Sequence, residues 1–154
     1  MVYYEKDNEF YTGVYRSKSG KFIIIWNSST LVSDYQILSA DEPRGEFSSF
    51  TPRGENHEYS IEHYKNKFYI ITNLDAENNR LMETSTQNTH VDNWVEVIPH
   101  REQAQILDID VFENHLAINE RKDGFSKIRI FNQKTKVDKY LEFDDNAYTS
   151  YISI

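Results

Sequence analysis

The side chains best suited to chemistry in this sequence are carboxylates. Asp108 and Asp110 alternate with apolar neighbours in the run Leu107-Asp108-Ile109-Asp110-Val111, so a strand would present both acids on one face. Glu62 stands in a similar alternating run, Tyr59-Ser60-Ile61-Glu62-His63. Glycosidases hold two carboxylates roughly 5–9.5 Å apart across a sugar-sized cleft, and the Asp108/Asp110 pair admits that reading. Set on strands that face water, Glu62, Asp108 and Asp110 are instead candidate channel-lining acids, which would concentrate cations or basic peptides. A plainer reading is a solvated strand face, or pairing with a neighbouring Lys or Arg.

Other chemistries find little support. Ser28-Ser29 and Ser48-Ser49 lack flanking glycines, and the sequence has no Gly-x-Ser-x-Gly, the strained elbow that exposes a hydrolase nucleophile. Catalytic residues are therefore assigned to none of its positions. His57, His63, His90, His100 and His115 show no i, i+4 pair, and there are no cysteines, so no metal ligand is assigned. Gly-rich phosphate cradles are absent and no cofactor is expected. His57 and His63 differ by an even number and could share a strand face; His57 is expected to bond in a turn and His63 to pack near an axis. Trp26 and Trp94 are expected in the packing between sheets. Asn27-Ser28-Ser29 matches a glycosylation sequon but has no secretion signal beside it.

The elements that must position these residues read as strands. Eleven Tyr and nine Phe stand beside only five Gly and three Pro, and aromatic and β-branched residues suit a pleated, half-buried surface. Apolar runs of four to seven residues are separated by turn chemistry such as Ser19-Gly20, Arg53-Gly54-Glu55-Asn56 and Asp123-Gly124, an all-β pattern. With 25 acidic and 17 basic residues the net charge is −8, which argues against nucleic acid and anionic membranes as partners. No run approaches the roughly 20 apolar residues of a membrane-spanning helix. Met1 to Asp7 has neither the basic nor the apolar region of a signal peptide. Together with the missing cysteines this fits a cytoplasmic setting, although a periplasmic one agrees with the same facts.

The strands repeat. Lys21-Phe22-Ile23-Ile24-Ile25-Trp26-Asn27 aligns with Lys67-Phe68-Tyr69-Ile70-Ile71-Thr72-Asn73 at a shift of 46, and His115-Leu116-Ala117-Ile118-Asn119 follows 48 further on. A strand precedes each copy (9–16, 58–65 and 105–112) and another follows (34–38, 80–84 and 127–131). A fourth closes each unit (47–52, 94–99 and 140–145), with Phe47, Trp94 and Tyr140 in register. Four strands recurring at this period mark a β-propeller, in which neighbouring blades complete each other's core. The expected organisation is a single partial propeller over 1–154, with blades at about 9–53, 56–100 and 103–145 and flanking strands at 2–5 and 148–154. Propellers close with roughly 4–8 blades, so three blades imply a piece of a larger ring. Open edges and faces would then favour self-association.

Several strings carry a family resemblance. Tyr4-Glu5-Lys6-Asp7 with Phe10-Tyr11, then His57-Glu58-Tyr59-Ser60 with His63-Tyr64, Phe68-Tyr69 and Thr72-Asn73, and finally Phe143-Asp144-Asp145 with Ala147-Tyr148, resemble the propeller region of oligopeptidase B (protease II), in the prolyl oligopeptidase group of serine peptidases. The resemblance runs along nearly the whole chain. It implies a parent with a seven-bladed propeller capping an α/β-hydrolase domain of the same chain, and cleavage of short peptides after Lys or Arg by a Ser-Asp-His triad. Triad, oxyanion hole and the acids reading the basic side chain belong to that hydrolase domain, so none maps here and the chain alone is expected to be inactive. The propeller is implied to act as a size filter. Two rival readings are a protein-interaction propeller with no peptidase domain and a propeller glycosidase using the carboxylate pair.

Overall fold

The computed structural model describes residues 2–143. Twelve strands form three four-stranded antiparallel sheets, each running in chain order. The first holds β1 (Tyr11–Arg16), β2 (Phe22–Ser28), β3 (Ser33–Ser39) and the two-residue β4 (Ser48–Ser49). The second holds β5 (Tyr59–Tyr64), β6 (Lys67–Thr72), β7 (Arg80–Ser85) and β8 (Val95–Ile98), with a 3₁₀ turn at Val91–Asn93. The third holds β9 (Ala104–Val111), β10 (His115–Lys122), β11 (Phe125–Asn132) and β12 (Asp138–Tyr140). The sheets are blades of an open, partial propeller. Turn chemistry sets the hairpins: Asp123 and Gly124 both take positive φ between the paired residues Lys122 and Phe125, as a two-residue type I′ connection requires.

Blade packing explains why β6 is apolar at nearly every position. Phe68 and Ile70 point toward the first blade and join Ile24, Ile37, Phe50, Tyr59, Ile61, Met82 and Trp94. Tyr69 and Ile71 point toward the third, with Leu81, Ile106, Val111, Leu116, Ile118 and Phe131. A central blade has no solvated face, so the alternation of an ordinary antiparallel strand is lost. Polar ties reinforce both junctions. Ser33 Oγ donates to the Tyr59 carbonyl at 2.8 Å and accepts from the Tyr59 amide at 2.7 Å. Asn79 Nδ2 donates to the Ile106 carbonyl at 2.8 Å.

The structure corrects several expectations. Val2 to Glu5 forms no strand; side chains hold the segment instead, with Asn27 Nδ2 donating to the Tyr3 hydroxyl at 2.7 Å and Arg53 pairing with Glu5 at 2.7 Å. The closing strand of the third blade is Asp138–Tyr140, earlier than 140–145, because a hairpin with Lys136 at positive φ returns the chain sooner. The aromatic that joins Trp94 in the core from the first blade's last run is Phe50, 1% exposed, three residues after the Phe47 that the repeat sets in register with that tryptophan. Trp26 stays outside the core: it lies over Gly13, its cross-strand partner, where an added Cβ would come within 2.5 Å of the indole. Trp94 packs in the core as expected. The strand expected at 148–154 lies outside the described residues.

Candidate functional site

The first strands of the three blades (β1, β5 and β9) share a groove of about 850 Å³ with their neighbours. Tyr15, Trp26, Tyr35 and Tyr69 give it aromatic walls, and Glu58, Glu62, Glu77 and Asp108 supply its charge. Neither Lys nor Arg lines it among the described residues.

Blade repetition places the acids. Arg16, Glu62 and Asp110 stand opposite Ile23, Tyr69 and Ala117 on the second strand of each blade, so they occupy one position in three repeats. Along β9 the pairing slips between Asn119 and Glu120, so Leu107 has no partner and is 38% exposed. This bulge re-aims the side chains around it. Leu107 therefore leaves the face it was expected to share with Ile109 and Val111, whereas Asp108 and Asp110 remain together on the other.

A cation of the chain itself meets these acids. The β1–β2 turn carries Lys18, whose Nζ lies 2.8 Å from Asp110 Oδ1 and 5.0 Å from the centre of the Phe112 ring. The Lys18 amide donates to Glu62 Oε1 at 3.1 Å, and the His63 amide donates to the same oxygen at 2.6 Å. Burial raises the Glu62 pKa above the usual carboxylate value, and the negative charge of Asp108 adds to the rise; the two amides and Lys18 oppose it. Asp108 is raised by partial desolvation and by Asp110, against the Ile109 amide that donates to it at 2.8 Å. Of the three acids, Asp110 is ion-paired and Glu62 is held by backbone amides, whereas Asp108 has neither an ion pair nor a bond from another blade among the described residues. Nothing in the sequence pointed to Lys18, which is separated from Asp110 by 92 positions.

The histidines are structural here. His57 is buried, bonds to Thr72 Oγ1 through Nε2 at 2.9 Å and packs on Tyr59 and Trp94. His63 sits between Phe22 and Phe68 at the junction of two blades. Asn27 of the sequon is wholly buried and bonded to Asp34 at 2.8 Å, closed to glycosylation in this fold. Among the described residues no group of three or more His, Asp or Glu is placed to hold a metal ion, and no helix is long and apolar enough to cross a membrane.

Comparison with known proteins agrees with this architecture. Residues 1–154 match the family described as prolyl oligopeptidase, N-terminal beta-propeller domain. Dipeptidyl aminopeptidase BI of Pseudoxanthomonas mexicana is 30% identical over 99% of this chain and 21% of its own length, and Protease 2 of Moraxella lacunata is 25% identical over 97% and 21%. Oligopeptidase B of Trypanosoma brucei, solved in a closed form with covalently bound antipain, superposes with a TM-score of 0.82 at 26% identity, over 94% of this chain and 22% of that one. Oligopeptidase B of Leishmania major shares the fold at a TM-score of 0.83 and 18% identity, over the same 94% and 22%. The chain thus spans about a fifth of the length of these relatives. The glycosidase and stand-alone interaction readings give way to this match: the chain belongs to the prolyl oligopeptidase family, as part of its N-terminal β-propeller domain.

Proposed function

We propose that this chain forms part of a propeller that caps an α/β-hydrolase domain of a longer serine peptidase, admits short peptides bearing basic residues and turns folded proteins away. The observation that carries the reading is the match of the whole chain to an N-terminal propeller domain, at about a fifth of the relatives' length. A relative captured closed around covalent antipain supports gating by closure, since a lid that shuts excludes water and oversized substrates. Glu58, Glu62, Glu77 and Asp108 in a groove without basic lining supply a field that would raise the local concentration of cationic peptides. Of the candidate acids, Asp108 acts here as a steering group and not a catalytic one, while Glu62 and Asp110 are engaged by the Lys18 turn and Asp110 lies outside the groove lining.

Two measurements test this. The isolated chain, incubated with a fluorogenic peptide carrying two basic residues, gives no turnover; steady hydrolysis abolished by a serine-directed inhibitor overturns the reading. In the full-length peptidase, Asp108→Lys with Glu77→Lys raises KM for a dibasic peptide by about tenfold at low salt, with kcat unchanged. The effect shrinks above roughly 0.5 M salt, where exposed charges are screened, and a neutral peptide is unaffected. An equal KM change for both peptides refutes the steering role.

A further inference from the structure

The β1–β2 turn, Ser17 to Gly20, touches all three blades. It closes on itself through the Gly20 amide donating to the Ser17 carbonyl at 2.7 Å, with Gly20 at φ +72°. Toward the second blade, Lys18 N–H reaches Glu62 and Ser19 Oγ lies 2.6 Å from His63 Nδ1. Toward the third, Lys18 Nζ reaches Asp110 and lies over Phe112. Ser19 Oγ is also 2.9 Å from Ser17 Oγ, which accepts the Phe22 amide at 3.0 Å. The turn is thus a strap from one blade across two others, and its middle bond ends on an imidazole.

That imidazole is poorly placed to carry charge. His63 is 2% exposed, its ring meets Phe22 at 4.7 Å and Phe68 at 5.0 Å, and its Nε2 has no hydrogen-bond partner among the described residues. The neutral ring satisfies Nδ1 on Ser19 and leaves the other nitrogen against the two rings. Protonation would put a charge into that apolar slot and require an N–H on both ring nitrogens where only Nδ1 has a partner, which is strongly disfavoured. The charged groups gathered at the turn it bonds are Lys18 and Arg16 on the first blade, Glu62 on its own strand, and Asp108 and Asp110 on the third. Glu62 is committed to two amides and Asp110 to Lys18. Burial accordingly lowers the His63 pKa.

We propose that the Ser17–Gly20 turn is an acid-released strap between blades, with His63 as the group whose protonation lets it go. Only the released ring accepts a proton readily, so falling pH pulls the turn open. With the released ring at an ordinary pKa of about 6.5, linkage raises the open population about tenfold between pH 7.5 and pH 5.5.

Amide hydrogen exchange of the 154-residue chain reads this directly at Lys18 and Gly20, whose amides are bonded in the closed turn, once intrinsic rates are corrected for pH. The wild type loses about tenfold in protection over that range. His63→Gln can keep a bond to Ser19 without titrating, and its protection changes less than twofold. Asp110→Asn cuts the Lys18 arm alone, lowering protection at both pH values while the tenfold ratio persists. An equal pH response in wild type and His63→Gln, or no response in the wild type, overturns the proposal. NMR titration of the wild-type imidazole covers the case of a variant that does not fold: His63 stays neutral with the turn protected, and a ring that titrates near pH 6.5 with the turn still closed also overturns it.

Discussion

Glu120→Gln tests whether the third blade depends on one buried carboxylate. Glu120 is fully buried on β10, and its Oε1 takes Arg101 from the loop before β9 together with Arg129 Nε at 2.9 Å and Nη2 at 2.7 Å from β11. Its Oε2 accepts the Tyr140 hydroxyl at 2.8 Å, and that hydroxyl accepts from Arg101 at 3.1 Å. Asp138 completes the cluster 2.6 Å from Arg129 Nη1, so two acids balance two guanidinium groups. Glutamine keeps the volume and removes one charge, leaving the cluster at +1. Removing one member of a buried pair costs about 3–5 kcal/mol. Arg129, with 6% of its side chain exposed, keeps Asp138, and Arg101, at 32%, can turn to water, which sets the expected loss near 3 kcal/mol. In urea, with an m-value of roughly 1–3 kcal/mol per M, the midpoint falls by at least about 1 M at unchanged m. Arg101→Gln, acting on a partly solvated group, costs only about 1 kcal/mol. A loss below about 1 kcal/mol for Glu120→Gln would show that the cluster tolerates an uncompensated charge and refute the reasoning.

Gly13→Ala drives a methyl into the Trp26 indole at 2.5 Å and should cost about 1–3 kcal/mol by overpacking, read as a fall in Tm; Trp26→Leu in the same chain should relieve most of it. Phe68→Ala, which empties a fully buried site against Phe22, Phe50 and His63, should cost about 3–5 kcal/mol in urea unfolding. Burial lowers the pKa of His57 as well as His63, so the unfolded chain takes up protons first: the stabilisation is complete above about pH 6.5 and is lost as pH falls below it, which unfolding midpoints at pH 7.5 and 5.5 would show. Val14, Ile23, Ile25, Leu38 and Phe47 line an apolar groove on the outer face of the first blade, and self-association should follow; light scattering that stays monomeric at high concentration, or an unchanged mass for Ile25→Lys, would count against it.

The fold was readable because a blade is a local pattern. Lys21 to Asn27 and Lys67 to Asn73 repeat the second strand almost residue for residue, and both form it. The interior of β6 carried the signal that this blade is covered on both sides. Lost were features whose cause lies in another blade or in a single backbone irregularity. Leu107 reads as one more inward residue, and only the slipped ladder beside it turns it outward. Phe47 and Phe50 are equally apolar, and the choice between them falls to Phe68 and Trp94 across the junction. Arg53, Asp34 and Glu5 form an ion cluster that binds the first residues to the blade, a link no periodicity reveals.

The acids divide in the same way. Repetition alone puts Arg16, Glu62 and Asp110 at one position of successive blades, and from there their fates differ for local reasons. Glu62 is used by backbone amides, one of them supplied by the neighbouring blade's turn. Asp110 is used by the side chain next to that amide. A single residue, Lys18, therefore occupies two of the three acids through two different atoms, and it can do so because a turn at the end of β1 overhangs both later blades. Asp108 stands two residues before Asp110 on the same strand face, and its one bond among the described residues is from the Ile109 amide of its own strand. It is left exposed in the groove with Glu58 and Glu77, which gives the carboxylates two separate tasks: Glu62 and Asp110 hold blades together, and Asp108 is the member still available to an incoming cation. Charge reversal at Asp108 should therefore alter steering with little effect on folding, whereas the same change at Asp110 should loosen the strap first.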